Sequence, residues 1–169
     1  MVLFAEINSE DIHDNVFKLI GSDWMLVSAG TRESFNMMTA SWGGMGVLWN
    51  KNIAICFVRP HRYTYDFIER ADFFTLSFFS EEHRAALNLC GSKSGRQVNK
   101  AAATGLTPIA GETGAILFAE ARLALECKKI YFQDLDPAHF LDEGIHKNYS
   151  KRDYHRMYLG EIVHCLTKS

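Results

Sequence analysis

The first apolar positions of the chain follow a helical period. Ile12, Val16, Leu19 and Ile20 recur three and four residues apart and so share one helix face. Asn8 or Ser9 supplies an N-cap, Glu10 and Asp11 fall in the first turn where the dipole favours anions, and Gly21 ends the run. From Trp24 the period changes. Residues 24–29, 36–41, 46–49 and 53–58 are short apolar runs separated by Gly, Asn, Lys or Arg, which predicts strands joined by turns. Residues 63–70 read as a short helix, and the Phe-rich, charge-poor run 73–79 as a central strand. Ser80 is placed to cap a helix through Leu89, with Glu81 and Glu82 in its first turn and Gly91 beyond its end. Residues 91–105 are polar and punctuated by glycine, with a helical turn near 99–103. Two more strands follow, 113–118 and a long one at 122–133. Asp136-Pro137 then opens a short helix ending at Leu141, and 155–166 reads as a last strand. Many short strands with a few helices predict a mainly β fold, a closed or partly closed barrel rather than a parallel sheet.

Length adds that residues 1–169 form one domain able to bury about two-thirds of its unfolded surface. With 47% apolar and 22% charged residues the composition is that of a globular protein. A net charge of -2 weighs against nucleic acid as the main partner, but allows a local basic patch for one small phosphate. Glu6, Glu10, Asp11, His13 and Asp14 interrupt the first residues, so no secretory leader is expected, and no apolar run approaches the roughly 18 residues of a membrane span. Cys56, Cys90, Cys127 and Cys165 form no CxxC pair, which disfavours metal ribbons and redox dithiols. Reduced thiols in a cytoplasmic protein, with no metal, are the expectation.

Several chemistries lack their motif. Gly43-Gly44-Met45-Gly46 does not have the dinucleotide spacing, and no Walker loop occurs. Gly91-Ser92-Lys93-Ser94-Gly95 carries lysine where a nucleophile elbow needs serine. The seven histidines include no H-x-x-x-H pair. What the chain does contain suits a flat ligand with a phosphate. Such a ligand needs backbone N–H groups, hydroxyls and a cation at one end, and an apolar wall beside the ring. Residues 36–43 place hydroxyls, small residues and Trp42 at a strand end. Residues 59–65 give two arginines and hydroxyls before a helix start, and residues 91–96 give hydroxyls, cations and a flexible backbone.

Read in order, N-x-M-T-x-S-W-G from Asn36, R-P-x-R-Y-T from Arg59 and C-G-x-x-S-G-R-x-x-x-K from Cys90 resemble the flavin reductase-like family, and within it the flavoredoxin-type branch. The ending Tyr154 to Ile162 is similar to that branch too, so the resemblance runs from about Asn8 to Ile162. It implies an FMN-binding split β-barrel and a homodimer with the flavin near the subunit boundary. It also implies NADH- or NADPH-linked flavin reduction, or electron transfer with a redox protein partner. Position by position, Thr39, Ala40, Ser41 and Trp42 match the strand end along the flavin ring. Arg59, Arg62 and Thr64 match the segment at the phosphate or ribityl chain. Lys93, Ser94 and Gly95 match a phosphate loop, with Cys90 and Gly91 beside it. Asn52 stands where the family often has proline, which touches a turn and not the site.

Each residue has a plainer role open to it. Trp42 could fill barrel core, Arg59 pair with a carboxylate, Lys93 and Arg96 be solvated, and Cys90 be structural. Arg62 at a helix start opposes the dipole, which favours an anionic partner. His155 is a candidate for the active site, and with Met157 and Tyr158 for a dimer interface. No catalytic residue is assigned, because hydride arrival at a flavin needs no general acid or base and the cofactor supplies the redox chemistry. The two readings are an NAD(P)H-dependent flavin oxidoreductase and an FMN-bearing electron carrier.

Overall fold

The computed structural model describes residues 4–168. Its strands are β1 (Phe4–Glu6), β2 (Met25–Thr31), β3 (Ser34–Ala40), β4 (Gly43–Leu48), β5 (Lys51–Val58), β6 (Phe73–Phe78), β7 (Pro108–Ala110), β8 (Ile116–Phe118), β9 (Leu123–Asp134) and β10 (Arg156–Lys168). The α-helical elements are α1 (Val16–Lys18), α2 (Tyr63–Arg70), α3 (Arg84–Ser92) and α4 (Lys100–Thr104). The protein is mainly β with few helices.

One antiparallel sheet runs β3-β2-β6-β9-β10-β5-β4, with β1 added beside β10, while β7 and β8 form a separate hairpin. β3 and β4 lie at opposite ends of this path but are consecutive in the chain, joined only by Ser41 and Trp42. Three Cα–Cα steps span at most about 11 Å, so the sheet must curl until its ends face each other. No ladder joins β3 to β4 among the described residues. The result is a barrel with one open seam, the split barrel that the sequence resemblance implies.

Strand alternation fills two layers. Met25, Val27 and Ala29 of β2 point into the barrel with Phe74, Leu76, Phe78, Tyr158 and Cys127. Leu26 points outward and packs under α3 and β8 with Leu87, Ile116 and Phe118. β2 is therefore apolar on both faces, and each large side chain buried here is worth about 1.5–3 kcal/mol. β6 lies between β2 and β9, inside the sheet as its composition predicts. Gly160 of β10 sits at a register shift against β9, where Phe74 and Cys127 close over its backbone; a Cβ there would meet carbons of both at 2.7 Å.

Some elements differ from expectation. The first helix is two pieces, because two asparagines compete to cap it. Asn8 caps the 3-10 turn Ser9–Asp11, and Asn15, itself extended, caps a fresh start at α1 that runs into the π turn Leu19–Asp23. Ile12, Val16, Leu19 and Ile20 still pack together on the barrel core. α3 starts after the 3-10 turn Glu81–His83 and runs through Gly91. Ser80 stands at the cap position of that turn, but its hydroxyl bonds Glu82 instead of a backbone N–H. Trp24 has φ 70 and so precedes β2 rather than opening it. Trp49 and Asn50 have φ 51 and 56, the two positive values that a two-residue hairpin between β4 and β5 requires. Tyr158, proposed for an interface, is wholly buried and donates its hydroxyl to Glu69 Oε1 at 2.6 Å.

Candidate functional site

The seam is where the sequence-predicted residues gather. Thr39 and Ala40 end β3, and Ser41 and Trp42 cross the gap. With Met38, Phe57, Arg59, His61, Arg62 and His155 they line a cavity of about 290 Å³. A second cavity of about 180 Å³ is lined by Tyr63, Thr64, Ser92, Lys93, Ser94, Gly95 and Lys100, and it shares His61 and Arg62 with the first. The two adjoin at these residues, side by side along the seam groove. Its aromatic half holds Trp42, Phe57 and His155, and its polar half holds two lysines, two serines and the start of α2.

The polar half brings together groups of the kind that suit an anion. α2 begins without a side-chain cap, so the backbone N–H groups of its first turn are not taken by an N-cap side chain. Thr64 is wholly buried and accepts from Asn36 Nδ2 at 2.8 Å, and its own hydroxyl hydrogen has no protein acceptor among the described residues. Across from it the α3–α4 loop is tied down. Arg96 donates to Asp66 Oδ2 at 2.6 Å and to the His61 carbonyl at 3.2 Å, and it lies 4.6 Å over the Tyr63 ring. Gly95 is pressed against Asn36 and Tyr63, where a Cβ would come within 2.0 Å of Asn36 Oδ1. Lys93 is exposed and Ser94 half-buried on this loop.

Other predicted residues are engaged by the protein. Arg62 donates to the carbonyls of Gly91 and Cys90 at 2.9 and 3.2 Å, which places its charge at the C-terminal end of the α3 dipole. That explains a cation at the wrong end of its own helix. Arg59 pairs with Asp153 at 2.8 Å and donates to the Asn148 carbonyl at 2.9 Å, the carboxylate pairing weighed above. Thr39 gives its hydroxyl to the Leu87 carbonyl, leaving its backbone to line the groove. The Cys90 thiol is buried and pushed up to about 11 by burial, so it is inert at neutral pH. Gly91 packs against Thr39 beneath the floor. Ser41 is half-buried in the cavity wall, and its hydroxyl makes no hydrogen bond among the described residues.

Sequence reasoning missed Lys100 as a site residue. It is buried between β3 and α3, donates to Met37 O at 2.8 Å and Cys90 O at 2.9 Å, and burial lowers it to about 8. The last lysine of the third motif was its only signal. Tyr149 and Asp153 were missed because they belong to the irregular stretch between β9 and β10. His155, 8% exposed, is brought down to about 4, chiefly by burial and then by the charge of Arg59, so it is neutral at pH 7. Trp42, 46% exposed, is not barrel core; its ring lies 5.2 Å from that of His155.

Comparison with known proteins gives these lines a family. Residues 17–169 match the flavin reductase like domain. No curated protein matches the chain significantly. Among solved structures, the FMN-binding domain of a flavin reductase-like enzyme from Shewanella baltica superposes with a TM-score of 0.71 at 18% identity, covering 99% of this chain and 78% of that one. Flavoredoxin of Desulfovibrio vulgaris superposes at 0.69 with 23% identity, covering 96% and 78%. An NADH:FAD oxidoreductase from Streptomyces globisporus, solved with NAD and FAD fragments, superposes at 0.64 with 19% identity, covering 87% and 74%. Likenesses at these identities carry the fold.

Proposed function

Since the chain belongs to the flavin reductase-like family, we propose that it is a flavoprotein that holds FMN in the seam groove and passes electrons through it. The observation that carries this reading is the junction of an aromatic cavity with an anion cradle through His61 and Arg62. The residues present fit the cofactor. Lys93, Ser94, Thr64 and the N-terminus of α2 would hold the phosphate. The backbone from Thr39 to Ser41 and the Trp42 and Phe57 rings would border the flavin. FMN, once bound, accepts a hydride or electrons and gives them up again. The chain's part is to orient the ring, hold its phosphate and limit water, and no proton transfer by a side chain is required.

The preferred activity is NAD(P)H-dependent flavin reduction, since a donor stacked on an open ring face needs mainly proximity and orientation. Mixing the FMN-loaded protein anaerobically with NADH or NADPH should bleach the flavin absorbance within seconds, and air or free flavin should restore it. If both nucleotides leave the flavin oxidised while dithionite reduces it, the protein is a carrier served by a protein partner. Trp42→Ala then distinguishes a gate from a missing donor, because bleaching gained by this change identifies Trp42 as the barrier.

The working unit is proposed to be a cytoplasmic homodimer. β4 is an edge strand whose Val47 is 73% exposed, and Trp49 at its turn is 57% exposed and edge-packed on the exposed Tyr131 ring at 6.1 Å. A bulky residue held at positive φ and displayed to solvent fits a surface meant to be covered. Light scattering should give a dimer at micromolar concentration, and Trp49→Asp should give a monomer that keeps its fold. A monomeric parent protein would remove the dimer.

A further inference from the structure

His155 lines the aromatic half of the groove, but how its ring is held is decided from outside the groove. Tyr149, only 5% exposed, lies in the stretch between β9 and β10 and puts its hydroxyl 2.7 Å from His155 Nδ1. The two rings meet edge to face at 5.5 Å. Arg59 lies 5.1 Å over the Tyr149 ring and is itself fixed by Asp153 and by the carbonyl of Asn148, the residue before Tyr149. The phenol is thus clamped, and burial raises its proton affinity, so it stays protonated.

The direction of this hydrogen bond follows from what each atom has left. Tyr149 makes no other side-chain hydrogen bond among the described residues. If it accepted from Nδ1–H, its own buried hydrogen would have no acceptor, at a cost of about 1–3 kcal/mol. If it donates to Nδ1, that hydrogen is satisfied, and a neutral imidazole must carry its proton on Nε2. Nε2 has no protein partner among the described residues and is not among the sealed polar atoms, so it is the ring nitrogen left open to the cavity.

We propose that Tyr149 is a positioning residue that fixes His155 as the neutral Nε2–H tautomer, so that the groove presents an uncharged hydrogen-bond donor to an acceptor atom on the flat ring bound there. The choice of the flavin ring as recipient rests on the reading above; the tautomer does not. The groups facing His155 are consistent with a neutral donor. Arg59 and His61 oppose a positive charge on it, Asp153 favours one but is already engaged by Arg59, and Trp42 and Phe57 add apolar walls.

The test is the nitrogen signature of His155 in long-range proton–nitrogen spectra. In the parent protein, Nδ1 should show as unprotonated and Nε2 as protonated from about pH 5.5 to 8, a range in which an ordinary histidine titrates. In Tyr149→Phe the signals should become a mixture of the two tautomers and the titration should move up, because the donor that stabilised the neutral ring is gone. Affinity for FMN should fall about 5- to 30-fold in the same variant. A parent signal showing Nδ1–H, or a variant with the parent's tautomer and titration, overturns the proposal. If the variant does not fold, 3-fluorotyrosine in the parent chain strengthens the phenol as donor and should displace the Nδ1 signal further; an unmoved signal overturns the proposal equally. Should the tautomer hold while FMN fails to bind, the functional reading falls and the positioning role stands.

Discussion

Riboflavin is expected to bind two to three orders of magnitude more weakly than FMN. The two ligands share the ring that Trp42, Phe57 and His155 border, and differ only in the phosphate assigned to Lys93, Ser94, Thr64 and the start of α2. Hydrogen bonds to a charged group are worth about 1.5–3 kcal/mol each, and two of them near the low end of that range, about 3–4 kcal/mol together, amount to a factor of roughly 100–1,000. Lys93→Ala should by itself weaken FMN binding about 10- to 100-fold and leave riboflavin binding unchanged. Its side chain is exposed and makes no hydrogen bond among the described residues, so stability should barely move. Gly95→Ala should act as strongly through geometry. Its Cβ would collide with Asn36, whose amide is fixed on the buried Thr64, so the loop rather than the asparagine must give way. The pH dependence has a definite sign. Lys100 is charged below about 8 and neutral above it, so FMN affinity should decline as pH rises through that value while riboflavin affinity does not. Titration by flavin fluorescence reads all of these, and equal affinity for the two flavins would remove the phosphate assignment.

Gly160→Val should destabilise the barrel strongly. The position lies where β10 shifts register against β9, and Phe74 and Cys127, both wholly buried, stand 2.7 Å from where a Cβ would sit. Neither neighbour is a flexible tip, so the strand or the core must move. Overpacking by single methylenes costs about 1–3 kcal/mol, and a branched side chain adds to that. Gly160→Ala should lower Tm by about 2–12 °C, and Gly160→Val by more, or to the point where little soluble protein remains. Melting curves decide it, and an unchanged Tm for Gly160→Val would mean that the strand accommodates a side chain at this crossing.

How much of this was legible beforehand depends on the length scale of the cause. Period-2 and period-3.6 patterns are local, so β2, β3, β5, β6, β9, β10 and α2 are readable from the chain, α2 to the residue. β1 and β7 are too short to show a period; β1 forms on β10, far along the chain, and β7 in a small hairpin with β8. The first helix is broken because Asn15 caps a second start after the turn that Asn8 caps, which the apolar period alone does not show. In the site, the residue sets were readable as motifs, but the partners of the charges were not. The position of Arg62 at a helix start suggests an anionic partner, whereas its guanidinium serves carbonyls 28 and 29 positions away at the end of α3. Tyr149 lies in a stretch without a period, and only the folded chain brings it to His155.

The open seam makes the site and the barrel thermodynamically inseparable. With β3 and β4 joined by two residues and no ladder between them among the described residues, a ligand lying along Thr39 to Trp42, as proposed, would bridge the seam. Any molecule that binds the folded form and not the unfolded chain adds RT ln(1 + [L]/Kd) to stability, about 2.7 kcal/mol at a hundredfold excess over Kd. Cofactor supply would then set how long each molecule survives. A chain without its ligand would unfold more often and reach a protease sooner, so turnover would enrich the loaded fraction.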